Sequence, residues 1–76
     1  MENKMQIQFK TADDVKAFVK AASECDFDID VIYNRMVVDA KSILGVFSLG
    51  LSNCLTVAYA DNNSKFENLL QKYAVA

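Results

Sequence analysis

Apolar and polar residues alternate from Met5 to Lys10, with Met5, Ile7 and Phe9 on one side and Gln6, Gln8 and Lys10 on the other, the period of a strand with one dry face. From Thr11 the period lengthens. Thr11 offers an N-cap hydroxyl and Asp13 and Asp14 complement the positive end of a helix dipole. Val15, Phe18, Val19 and Ala22 then recur at i, i+3, i+4 and i+7, which predicts an amphipathic helix to about Glu24. Alternation returns over residues 26–33, where Phe27, Ile29, Val31 and Tyr33 face one way and Asp26, Asp28 and Asp30 the other. A turn at Asn34-Arg35 joins this strand to a second at residues 36–40, as a hairpin. Arg35 fits that turn poorly, because the second loop residue of a two-residue hairpin favours positive φ, where a side chain costs about 1 kcal/mol relative to glycine.

Ser42 can cap a short helix from Ile43 to about Leu49, ended by Gly50, since a glycine just past the last turn relieves the left-handed backbone there. Leu55, Val57 and Tyr59 alternate with Thr56, Ala58 and Ala60 as a fourth strand. Ser64-Lys65-Phe66-Glu67 reads as a capping box, and Phe66, Leu69, Leu70 and Tyr73 form the apolar stripe of a last helix. The order is βαββαβα, which predicts an α+β fold: an antiparallel sheet with helices on one face and water on the other, where the aspartates of strand two would lie. No linker or repeat divides the chain, so residues 1–76 are expected to form a single domain.

Composition narrows the chemistry. Seventy-six residues support one core and leave no room for separate substrate and cofactor lobes. The chain has no histidine, which removes the commonest general base, the commonest metal ligand and every Ser/His or Cys/His nucleophile pair. Eight scattered Lys and Arg against ten Asp and Glu form no basic stripe for nucleic acid. Residues 42–60 carry no charge, yet Gly45, Gly50 and the Ser52-Asn53 turn signal interrupt them, so no membrane span is expected. The N-terminal residues lack an apolar signal core, and a cytoplasmic location follows as the expectation.

The segment Lys41-Ser42-Ile43-Leu44-Gly45-Val46-Phe47-Ser48-Leu49-Gly50 strongly resembles the regulatory-serine motif of HPr, the small phosphocarrier of the bacterial phosphoenolpyruvate:sugar phosphotransferase system. The likeness reaches back through Ala17-Phe18-Val19-Lys20 and Asp28 to Tyr33, and forward more weakly, over about three quarters of the chain. It implies an open-faced β-sandwich with sheet order 1-4-2-3 and three helices on one face. It also implies two sites. In the family a histidine at the start of the first helix, followed by an arginine and a proline, receives phosphate from enzyme I; aligned through Phe18-Val19-Lys20, these three places fall at Thr11, Asp13 and Asp14, and the preceding loop is shorter. Acidic residues there repel the phosphoryl group that a helix start and a guanidinium would attract. The resemblance therefore implies a non-enzymatic protein without carrier activity, like the regulatory relative Crh, which also lacks the histidine.

The second site of the family is the serine modified by HPr kinase and then read by the catabolite control protein CcpA; it matches Ser42. Phosphate at that helix cap adds about −1.5 to −2 charges beside the positive end of the dipole, with Lys41 adjacent. Ile43, Leu44 and Phe47, together with Lys41 and Ser48, are expected to form a partner-binding surface, because two helical turns cannot bury all of these apolar residues as well as Val46 and Leu49. A competing expectation is constitutive self-association through the same patch, giving a monomer or weak homodimer with no phosphorylation. Other signals lead less far. Asp26-x-Asp28-x-Asp30 lacks the glycine and the closing glutamate of a calcium loop, Gly45 to Gly50 lacks the lysine of a phosphate loop, and neither a metal nor another cofactor is expected. Cys25 and Cys54 would support thiol redox chemistry only if they lie close in space.

Overall fold

The elements β1 (Asn3–Ile7), α1 (Ala12–Ser23), β2 (Ile29–Tyr33), β3 (Met36–Asp39), α2 (Ile43–Ser48), β4 (Leu55–Tyr59) and α3 (Ser64–Tyr73) follow one another in the expected βαββαβα order. The structure, a computed structural model, describes residues 3–75. The four strands form one antiparallel sheet in the order β1-β4-β2-β3, the order that the family resemblance implies. β4 lies between β1 and β2, with Ile7 opposite Leu55, Asn3 opposite Tyr59 and Ile29 opposite Tyr59. Its inward residues Leu55, Val57 and Tyr59 are all buried. On the other face Lys4, Gln6, Asp30, Ile32, Val37, Asp39, Thr56 and Ala58 lie at outward register positions, and of these only the small Ala58, between Lys4 and Asp30, is buried.

Strand limits differ from those read by alternation because a strand lasts only as long as it has a partner. β1 covers Asn3–Ile7 rather than 5–10. Phe9 lies past its end and is nonetheless fully buried, its ring 5.2 Å from that of Phe18. β2 begins at Ile29, so of the three aspartates only Asp30 belongs to the sheet, and Asp26 and Asp28 are exposed in the segment before it. At the hairpin the positive φ of 55° is on Asn34 and not on Arg35. Asn tolerates the left-handed region better than most residues, so Arg35 escapes the expected strain.

The helices cover the inner face. α1 is capped by Thr11, whose hydroxyl accepts from the Asp14 amide at 3.2 Å, and buries Val15, Phe18, Val19 and Ala22, the four residues of its predicted stripe. α3 begins one residue differently from the sequence reading. Asn63, not Ser64, is the cap: its Oδ1 accepts from the Phe66 amide at 3.0 Å, and Glu67 reaches back to accept from the Asn63 amide at 3.1 Å. A chain of rings joins the layers, with centroids 5.8 Å apart for Phe18 and Phe66, 5.7 Å for Tyr59 and Phe66, and 5.4 Å for Phe9 and Tyr73.

The edges of the sheet differ. Residues after α3 run antiparallel to β1, where Ala74 bridges Ile7, the Gln8 amide donates to the Tyr73 carbonyl at 2.9 Å and the Val75 amide to the Gln6 carbonyl at 3.0 Å. β3, at the opposite edge, has β2 as its only neighbour in the sheet among the described residues.

Two outcomes are expected in urea titrations. Gly50 has φ +83°, and a Cβ there would sit 3.0 Å from Asn53 Nδ2, so Gly50→Ala should lower the unfolding free energy by about 1 kcal/mol. Burial raises the Tyr59 phenol above its ordinary value, helped by the hydrogen bond it donates to Glu67 and by that carboxylate's charge. Burial likewise raises Tyr73, with Asp14 adding to it. It also raises Cys25, opposed by Lys41 and supported by Asp26 and Glu24. A pKa higher in the folded state means that the unfolded chain releases its proton first. The contribution is whole below about pH 8.5 for the thiol and about pH 10 for the phenols, and it falls as the pH rises through the raised values. The urea midpoint should therefore drop in alkali, and less so in Tyr59→Phe.

Candidate functional site

At the start of α1, Thr11 stands where the resemblance implies a phosphate-accepting histidine. Its hydroxyl is occupied by the Asp14 amide, and the Asp14 carboxylate folds back over the first turn, accepting from the Lys10 amide at 3.0 Å and from the Thr11 amide at 3.2 Å. These backbone donors, aided by the helix dipole, are the groups with which a helix start attracts an anion. Here they already hold a carboxylate of the chain itself, and the exposed Asp13 adds a second negative charge. Lys10, Asp14, Lys72 and Tyr73 line a cleft between this turn and the end of α3, so the surroundings mix both signs.

α2 presents the other candidate surface. Ser42 caps it, with Oγ accepting from the Gly45 amide at 3.3 Å, and its first turn carries no acid. A Cβ at Gly45 would meet Ser42 Oγ at 3.2 Å and Val38 Cβ at 3.3 Å, so the absence of a side chain lets the helix sit close against β3. Val46 and Leu49 take the inward positions and are buried. Ile43 is exposed and Leu44 is 81% exposed, whereas Phe47 is half-buried and packs against the core. Ser48 is exposed, and its hydroxyl donates to the Gly45 carbonyl at 2.6 Å. The Lys41 ammonium donates to the Cys25 carbonyl at 2.9 Å, beyond the end of α1, so in this conformation it is turned away from Ser42.

The structure adds Leu51, which follows α2 and is 42% exposed. Nothing in the helical spacing marks it, because it lies beyond Gly50 in a bend. Its position is set by contacts distant in sequence: the Ser52 amide donates to the Phe9 carbonyl at 2.8 Å, and Gln8 Nε2 donates to the Ser52 carbonyl at 2.7 Å. Ser52 has φ 67°, a conformation that a serine keeps only when its surroundings hold it. The same two bonds tie the end of α2 to the loop that precedes Thr11.

Cys25 and Cys54 are not brought together. Cys54 is two residues from Ser52, near the start of α1, and Cys25 follows the end of that helix, which is 12 residues long. A helix of this length spans about 18 Å, far beyond the roughly 7 Å that a disulfide between two Cα positions permits. Both thiols are free, Cys25 buried and Cys54 exposed. Among the described residues no group of three or more Cys, Asp or Glu side chains is placed to hold a metal ion, and no helix is long and apolar enough to cross a membrane.

Comparison with known proteins yields one family model, described as the PTS HPr component phosphorylation site, which matches residues 5–60. The crystal structure of HPr-C-His from Thermoanaerobacter tengcongensis is similar with a TM-score of 0.74 and 28% identity, over 92% of this chain and 88% of that one. The phosphocarrier protein HPr from Bacillus anthracis str. Ames shares the fold with a TM-score of 0.73 and 21% identity, over 93% of this chain and 95% of that one.

Removing the Asp14 carboxylate tests how much the closed start of α1 matters. Asp14→Ala leaves two backbone donors to water and should cost about 1 kcal/mol in urea unfolding, with Asp13→Ala, which makes no such bonds, changing stability by under about 0.5 kcal/mol.

Proposed function

The chain belongs to the HPr family of the phosphoenolpyruvate:sugar phosphotransferase system, and from that premise we propose that it is a regulatory, protein-binding member without phosphohistidine carrier activity, acting through Ser42 and α2. The observation that carries this reading is Leu44, 81% exposed within two residues of the exposed Ser42 hydroxyl. A leucine left in water forgoes about 1.5–3 kcal/mol relative to a buried one. Beside a modifiable hydroxyl it supplies what a phosphate-dependent partner needs, an apolar anchor next to a switchable charge. Ile43 and Leu51 extend the anchor.

Loss of relay has its own support. The chain has no imidazole, and the Thr11 hydroxyl is held by the Asp14 amide. An alkyl phosphate on threonine would also transfer its phosphoryl group far less readily than a phosphoramidate. The Asp14 carboxylate further fills the donors that would steady an incoming phosphoryl group. At Ser42 the electrostatics run the other way, since α2 carries no acid in its first turn and a phosphate there meets the positive end of the local peptide dipoles. In this reading the partners are a kinase of the HPr-kinase type and a regulator of the CcpA type, met in the cytoplasm.

Incubation with HPr kinase and ATP should add one phosphoryl group to the chain and none to Ser42→Ala. The phosphorylated protein should bind the catabolite control protein at least about tenfold more tightly than the unmodified one, and Leu44→Ser should weaken that binding without preventing phosphorylation. No phosphoryl gain together with no binding would remove the regulatory reading. If Leu44→Ser instead dissolved an oligomer formed by the unmodified chain, the patch would serve constitutive self-association.

A further inference from the structure

Met36 and Val37 are 48% and 59% exposed on β3, a strand with no strand paired to its outer side among the described residues. The hairpin fixes which groups point outward. Tyr33 opposite Met36 closes a two-residue loop and so exchanges hydrogen bonds across the pair, and the Ala40 amide donates to the Ile29 carbonyl at 2.9 Å. Even-numbered residues of β3 therefore face β2, and Val37 and Asp39 direct their amides and carbonyls to the free edge. The Asp39 carbonyl is taken by the Ser42 amide at 3.0 Å. What remains is a short template centred on Val37, with both of its backbone groups aimed outward.

We propose that this edge is a homodimer interface, in which β3 of one copy pairs antiparallel with β3 of another across a two-fold axis at Val37. Side-chain chemistry selects that register. With Val37 opposite its own copy, Met36 comes opposite Val38 on the inner face, and Arg35, in the hairpin turn immediately before β3, comes within side-chain reach of Asp39 of the other copy. A shift of two residues one way sets Val37 against Asp39, and the other way sets Arg35 against Val37. Only the Val37-centred pairing matches charge with charge and apolar with apolar. It also answers a mismatch inside the chain: Asp39 lies directly opposite Asp30 on the outer face of the sheet, a like-charge pair that a guanidinium from the second copy offsets. The two-fold axis is perpendicular to the sheet, so the dimer is one eight-stranded sheet with both helical layers on the same side. At four residues the strand is short, and the association should be weak, with a dissociation constant on the order of 0.1–1 mM. This inference stands apart from the regulatory reading, because it uses neither Ser42 nor the exposed face of α2.

The test is sedimentation velocity and light scattering on the full chain from roughly 10 μM to roughly 1 mM at low salt. The mean mass should rise toward twice the monomer, and added salt should lower it. Arg35→Asp and Asp39→Arg should each weaken association at least about tenfold. An equimolar mixture of the two should recover it, because both cross-strand charge pairs are restored in the heterodimer. Asp39 also accepts from the Lys41 amide at 2.9 Å, so Val37→Lys, at an exposed position, provides a disruption that leaves this turn intact; circular dichroism checks that each variant is folded. A parent chain that stays monomeric throughout, folded Arg35→Asp or Val37→Lys proteins that still dimerise, or a dimer lost in Leu44→Ser would each overturn the proposal.

Discussion

The contact between Phe18 and its ring neighbours is the constraint on which the other placements depend. Phe9 comes from the loop after β1, Phe18 from α1, Phe66 from α3 and Tyr59 from β4, and their centroids succeed one another at 5.2, 5.8 and 5.7 Å. Each pair adds about 0.5–1.5 kcal/mol beyond the area it buries, but the arrangement matters as much as the sum. Because Phe9 is held under α1, the loop between β1 and α1 has a fixed course. Its Phe9 carbonyl can then receive the Ser52 amide, which sets the bend beyond α2 and the place of Leu51. The surface at α2 thus inherits its shape from a core contact formed by residues far from it in sequence.

The helical stripe of α1 was fully legible, since Val15, Phe18, Val19 and Ala22 have no other way to reach the core together. The element order was legible for the same reason: changes of period between 2 and 3.6 mark changes of backbone. Strand ends were not. Alternation continues through Phe9 and begins at Asp26, but pairing with β4 and β3 stops at Ile7 and starts at Ile29, and nothing local to Phe9 or Asp26 tells where the partner stops. The cap of α3 shows the limit at finer scale. Asn63 and Ser64 are both good caps and Glu67 serves either, so residue type alone does not choose between these neighbours; in the structure Asn63 takes the place.

At the site, the sequence marks residue types more readily than their engagements. The absence of histidine and the acids at Asp13 and Asp14 are plain in the chain, yet the closing of the α1 start depends on one Asp14 oxygen reaching two amides. Lys41 stands beside Ser42 in sequence and turns its ammonium to Cys25, since a four-carbon stem allows a lysine to act well away from its own backbone. Phe47 belongs by spacing to the exposed stripe and by volume to the core, and the core takes part of it.

The pairing of β1 orders events in time as well as in space. Asn3 to Ile7 find their partner in residues 55–59 on one side and in residues 74 and 75 on the other. During synthesis the first strand made therefore waits, with Met5 and Ile7 uncovered, until β4 has emerged, while α1 and the β2–β3 hairpin can form from contacts already available. Closure of the sheet is thus a late and concerted step that needs nearly the entire chain. A ribosome stalled before Leu55 would hold a nascent protein with both edges of β1 and the inner edge of β2 unpaired and without the core residues of β4 and α3, a better substrate for chaperones than for any partner of the finished molecule.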